Sequence, residues 1–360
     1  MPDLLQDNKT IYQWAGISFG EQNCMLLQKA MQKLGKESGA SKLRFWGKIN
    51  GTQRDYWIVE GIAEPPADDA EKPANMEARG TGVNEFGYWV CNCPSENKWT
   101  LLPDLCPEDV AIARQVKFHF TGDLENRIIT NPFLHKREKF LLRAQIARIS
   151  VSTTLVPKGM FRMVEESTTE IEENVPEEGP VPIPSVQQMC KADNWVHHPK
   201  SILNCCRVTL MEEEAPEGVE PEDFMKARME KDPSEPRLKS ISNDKCIKGA
   251  PAWTVRGYGD MTEFQAANPT AAKQVFGVAV VRCNTWPGAY SFFTQQKQHM
   301  QVYVGDGLKF EEKTYYPVHT PKMQEDPEDR PTYAEPNPTE AAKKRAEAKA
   351  QEAAEGNADE

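Results

Sequence analysis

The acidic residues of this chain are gathered into three proline-interrupted stretches, and that segregation limits what can fold. Residues 164–184 hold seven acids and no base, 211–236 ten acids and three bases, and 324–360 eleven acids and five bases, giving −7, −7 and −6. The formal total is −11, so the rest of the 360 residues carries +9. Stretches rich in acid and proline and poor in aliphatics bury too little apolar surface to offset the entropy of ordering. The packed body must therefore come from the intervening, mildly basic segments. A low apolar content of 39% and a high count of 27 prolines agree with a chain that is only partly packed.

The same patterning bears on partners. Acidic stretches repel phosphate, and no contiguous basic patch interrupts them, so no nucleic acid is expected as a partner. The longest apolar run, Val275 to Val281, is broken at Gly277 and falls far short of the roughly 20 residues that span a bilayer. No membrane association is expected either. Met1 to Asp7 has neither a basic region nor an apolar one, so no signal peptide is read. Nine cysteines at 24, 91, 93, 106, 190, 205, 206, 246 and 283 are then expected as free thiols in a reducing compartment. The sequons at Asn8 and Asn50 are silent there.

Local patterns predict the elements. Leu27, Ala30, Met31 and Leu34 give a helix over 21–34 that Gly35 closes, and Ser18 and Glu21 have the spacing of a capping box. The aromatic and β-branched runs 42–49 and 55–62 flank Asn50-Gly51 and predict a hairpin. A polar loop over 64–80 precedes two more strands of a meander, at 86–91 and 99–102. Pro107 opens a helix whose stripe is Val110, Ala113, Val116 and Phe120, ended by Thr121-Gly122. Residues 140–149 suit helix or strand, and their β-branched continuation favours an extended exit. Short order is expected at 195–198 and 202–203. Strands follow at 252–255, 274–283, 289–294 and 300–304, with Trp286-Pro287-Gly288 as a turn. The tail from Thr339 has good helix formers without an apolar stripe, which predicts a marginal, solvated helix. No internal repeat is visible.

The expected fold class is α+β: a β-rich body of antiparallel hairpins and meander with few helices. Its expected organisation is a body part over 1–163, an acidic linker over 164–184 and a short ordered segment over 185–210. An acidic flexible insertion over 211–250, a second β part over 251–323 and an acidic tail over 324–360 complete it.

Candidate chemistry is sparse. Gly16-Ile17-Ser18-Phe19-Gly20 fits a nucleophile elbow, but only fifteen residues precede it, and Ser18 serves equally as a helix cap. Cys91 and Cys93 share a strand face, and Cys205-Cys206 lie near His197-His198, yet neither has the paired spacing of a zinc site. Buried thiols acting as small hydrophobes, and one core-facing and one surface imidazole, are the plainer reading. Glu212 to Glu214 lack calcium-loop spacing and read as a solvated charge run. Gly80-Thr81-Gly82 and Gly305-Asp306-Gly307 read as turns, and no phosphate-binding glycine loop is present. The residues therefore predict no enzyme, no catalytic, metal or cofactor-binding residue and no cofactor. They predict an aromatic-rich protein made for assembly, its eight tryptophans and nine tyrosines able to anchor interfaces.

Several blocks resemble the radial spoke head protein 4/6 family of motile cilia and flagella. They are Lys42 to Gly51 with Asp55 to Gly61, Gly82 to Asn84 leading to Tyr88 to Asn92, Phe120 to Leu124, Leu142 to Ser150, Asn194 to His198 and Val280 to Tyr290. They run in family order across most of residues 12–320. The resemblance implies a structural subunit of the axonemal radial spoke head, without catalytic residues or cofactors. It implies partners as well: a paralogue of the 4/6 type or a second copy, radial spoke head protein 9, a MORN-repeat head protein, and transient contact with the central pair. It also implies a helical segment ahead of Trp14, of which the sequence shows almost none. The competing readings are a hydrolase using Ser18, a zinc- or thiol-dependent protein using Cys91, Cys93, Cys205 or Cys206, and a scaffold not retained in the axoneme.

Overall fold

The computed structural model describes residues 4–62, 76–130, 135–165, 170–176, 179, 181–211, 213, 215–216, 220–246, 249–261, 277–310 and 338–356. Two compact units divide the chain, Met1–Thr314 and Tyr315–Glu360.

The first unit begins with α1 (Leu4–Thr10) and a 3-10 turn at Tyr12–Ala15, then α2 (Glu21–Ser38). Strands β1 (Ser41–Ile49), β2 (Tyr56–Ile62), β3 (Gly87–Cys91) and β4 (Thr100–Leu101) form a meander. Helices α3 (Pro107–Gln115) and α4 (Glu138–Thr153) follow, then short strands β5 (Leu155–Pro157), β6 (Phe161–Met163), β7 (Ile171–Glu173) and β8 (Trp195–His197). After α5 (Pro221–Lys231) a second meander runs through β9 (Trp253–Gly259), β10 (Gly277–Cys283), β11 (Ala289–Thr294) and β12 (His299–Gly305). The two meanders join in one eight-stranded sheet, ordered β4-β3-β2-β1-β12-β11-β10-β9. Every pairing in it is antiparallel except the central seam, where β1 runs parallel to β12. The architecture is α+β.

Strands β2, β3, β10 and β11 are buried on both faces, which is why they read as near-continuous apolar runs rather than alternating ones. Phe45, Trp57, Val59, Trp89, Val280 and Phe292 point to one face, under α1 and the Leu27, Met31 and Leu34 stripe of α2. Trp46, Ile58, Val90, Val281 and Phe293 point to the other, toward α3, α4 and the chain around Trp195. The seam needs a glycine. Gly47 has φ +152°, and a Cβ there would lie 2.1 Å from the Tyr303 carbonyl oxygen.

Several expectations are corrected. Helix α2 runs four residues past Leu34, because Gly35 is a packing position: a Cβ on it would lie 3.1 Å from Leu43 Cδ1. Gly39, at φ +65°, ends the helix instead. No capping box forms, since the helix starts at Glu21 and Gly20 is its N-cap. Helix α3 stops at Gln115, and Phe120 leaves the helical path to pack edge-on against Tyr56 at 6.3 Å. Residues 140–149 are helical, and helix α4 continues through Thr153 where an extended exit was expected. The helix α1 stands ahead of Trp14 where almost none was read, and Lys9 pairs it to Glu21 of α2 at 2.9 Å.

The acidic stretches hold more structure than their composition predicts. Strands β6 and β7 pair across part of 164–184. The stretch 211–250 contains α5, and Ile241 within it is buried. Of the predicted polar loop, residues 64–75 lie outside the described residues, as do Gln274 to Phe276 of the predicted strand. In the second unit α6 (Pro338–Gly356) forms the helix foreseen from Thr339. Among the described residues no helix is long and apolar enough to cross a membrane.

Candidate functional site

The residues singled out from the sequence are scattered. Ser18 is exposed, and its hydroxyl accepts the Gly20 N–H at 3.3 Å. Cys91 is buried on β3, and burial pushes its thiol up to about 12. Cys93 is only partly buried, and a hydrogen bond with Ser95 holds its thiol below the usual value. Cys205 is exposed with its thiol raised by partial burial, and Cys206 is buried. His197 and His198 face different surroundings. His197 Nε2 lies 2.7 Å from Asp244 Oδ2, while His198 stands edge-on to Phe161 at 4.6 Å. Burial, with Arg237 and His299 nearby, pushes His198 down to about 4. Glu212 and Glu214 lie outside the described residues; Glu213 pairs with Arg228 at 3.3 Å. Both predicted glycine turns occur, with Gly80, Gly82 and Gly307 at positive φ. Among the described residues no three His, Cys, Asp or Glu side chains gather as a metal site would require.

Three buried polar cages, which no spacing in the sequence announced, fix the loops to the sheet. The first centres on Glu138, the first residue of α4. Its Oε1 accepts from Tyr56 Oη at 2.8 Å, Thr121 N at 2.8 Å and Gly122 N at 3.1 Å. Its Oε2 accepts from Thr121 Oγ1 at 2.7 Å and Asn126 Nδ2 at 3.2 Å. Five donors offset the cost of burying the carboxylate, and the helix N-terminus favours its charge. Burial, and then the bond to Glu138, raises the Tyr56 phenol well above its ordinary range.

The second cage centres on Asn84. Its amide donates to the Glu77 and Leu105 carbonyls, and its oxygen accepts from Leu105 N at 2.8 Å and Arg143 Nη2 at 3.2 Å. Arg143 lies 4.7 Å over the Tyr88 ring, and burial lowers its guanidinium below the usual value. In the third cage Glu77 takes the N–H of Val83 at 2.8 Å and of Thr209 at 2.9 Å, with the Thr209 hydroxyl at 2.6 Å. Gly82 lets that carboxylate approach; a Cβ would lie 2.4 Å from its carbon.

A cleft of about 620 Å³ opens where the end of α3, one face of α4 and the 235–245 segment meet the β9–β10 end of the sheet. Five cations, Arg114, Arg148, Lys239, Lys245 and Lys309, line it against two acids, Glu235 and Asp244. Arg114 donates to the backbone carbonyls of Ile202, Leu203 and Asn204. Arg148 stacks 5.3 Å over the Trp286 ring. Asp244 Oδ2 accepts from Trp253 Nε1 at 2.7 Å. Burial opposes its charge, but the His197 and Trp253 hydrogen bonds outweigh it and hold the carboxyl below the usual range.

Polar groups committed to joining segments, with strands β2, β3, β10 and β11 buried on both faces, make an α+β body whose loops are tied to its sheet. A family profile described as "Radial spokehead-like protein" matches residues 1–75 and 62–344, and the chain belongs to that family. It is 29% identical to "Radial spoke head protein 6 homolog A" of Mus musculus, over 88% of this chain and 51% of the relative. It is 29% identical to "Radial spoke head protein 4 homolog A" of Homo sapiens, over 91% of this chain and 50% of the relative. With "Flagellar radial spoke protein 4" of Chlamydomonas reinhardtii it shares 27% identity over 82% of this chain and 64% of the relative. The chain thus spans about half the length of the mammalian relatives it matches.

Proposed function

We propose that this chain is a structural, non-catalytic subunit of the radial spoke head in the axoneme of motile cilia or flagella. The observation that carries the reading is the family match across residues 1–75 and 62–344, which takes in the whole two-meander sheet. In this reading the body pairs with a second copy or a paralogue and assembles with radial spoke head protein 9 and a MORN-repeat head protein. The head so formed meets the central pair and tunes beating. The acidic stretches shape its outer charge: their −20 gives short-range contact or repulsion, screened beyond about 8–10 Å at physiological salt. Mass spectrometry of detergent-extracted motile cells tests the placement. The chain should stay with the axoneme alongside other spoke-head subunits; release into the soluble fraction free of them would refute the reading.

A further inference from the structure

The cleft beside α4 carries a charge opposite to that of the chain. The whole chain is at −11, yet the cleft's lining has five cations and two acids. Both acids are already engaged, Glu235 with Lys239 at 2.9 Å and Asp244 with His197 and Trp253. Two of the cations are not compensated. Arg114 meets backbone carbonyls, which satisfy its N–H groups without neutralising its charge. Lys245 is exposed and has no acidic partner among the described residues. They come from segments far apart in sequence, so the fold, and not a basic run, concentrates the charge.

The floor of the cleft differs from its rim. Trp253 and Trp286 are buried there, and Trp286 Nε1 has no acceptor among the described residues. A volume of about 620 Å³ admits a few side chains, not a whole element. An aromatic floor with unmatched cations around it suits a short segment bearing carboxylates and one apolar residue.

We propose that this cleft docks an acidic peptide segment of a partner protein, its carboxylates meeting Lys245 and Arg114 over the Trp253–Trp286 floor. The inference does not rest on where in the cell the chain resides, and its test uses the purified full chain. The probe is a fluorescein-labelled peptide of alternating Glu and Ala with one central Leu, followed by fluorescence anisotropy. It should bind, and raising salt from about 50 to about 300 mM should weaken it severalfold. Lys245→Glu should reduce affinity about tenfold with an unchanged melting temperature, because the residue is exposed and on the rim. Lys33→Glu, on the exposed side of α2 across the sheet, should leave affinity unchanged. Absence of binding, an equal loss in Lys33→Glu, or equal affinity for the Gln counterpart or for a single-stranded oligonucleotide would overturn the proposal.

Discussion

Glu138 shows how a single side chain holds distant segments. It is buried, yet every donor it meets belongs to a different segment from its own helix: Tyr56 on β2, and Thr121, Gly122 and Asn126 in the loop before α4. Removing the carboxylate strands those donors in the core. Glu138→Ala is expected to cost about 3–4 kcal/mol, and Glu138→Gln less, because one acceptor oxygen survives. Urea unfolding of the two variants checks the order; equal midpoints would contradict it. His198 supplies a pH dependence. Its imidazole titrates near 4 when folded against an ordinary 6.5. Between those values the unfolded chain binds the extra proton, so stability falls as pH falls through that window and levels off below it. The full loss is at most about 3 kcal/mol, and partial exposure reduces it. Unfolding midpoints of wild type and His198→Gln at about pH 7 and about pH 5 should diverge, with the wild type losing more. Little of this was legible in the sequence. Carboxylates such as Glu77 and Glu138 find partners up to 132 positions away, and no local spacing encodes such a meeting.

At the scale of elements, legibility followed the locality of the cause. The β1–β2 hairpin was readable because an Asn-Gly turn and two apolar runs lie within one short stretch. The parallel pairing of β1 with β12 was not, since nothing near residue 47 points to residue 303. Helix α4 hid for a different reason: it is buried on nearly every side, from Leu141 to Ala147, and so has no polar face to reveal its period. The seam makes a direct prediction. In Gly47→Ala the new Cβ meets the Tyr303 backbone at 2.1 Å, where no side chain can move aside. The cost should be about 3 kcal/mol or more, and the folded yield should drop. Gly16→Ala is the control. It has φ +75° with nothing within 4 Å of the added carbon, and should cost only about 1 kcal/mol. Thermal unfolding of the pair separates the two; similar losses would show that the seam tolerates opening.

At the scale of the molecule, the blocks that carry the family resemblance coincide with the architecture. Lys42 to Gly51 and Asp55 to Gly61 build the first hairpin. Asn84 and Thr121 sit in the polar cages, and Leu142 to Ser150 is the buried run of α4. The resemblance is therefore to a body plan. The acidic stretches divide by contact. Asp232 receives the Asn204 and Cys205 N–H groups at 2.9 Å and belongs to the body, so charge neutralisation should spare it. Glu→Gln at 165, 166, 177, 178, 212, 214 and 217 should alter beat waveform while leaving heads assembled; an unchanged waveform would remove the electrostatic role. The most direct test of the structural role is electron cryotomography of axonemes from motile cells lacking this chain. Spoke heads should lose density that returns when the chain is restored. Complete heads in its absence would contradict the assignment.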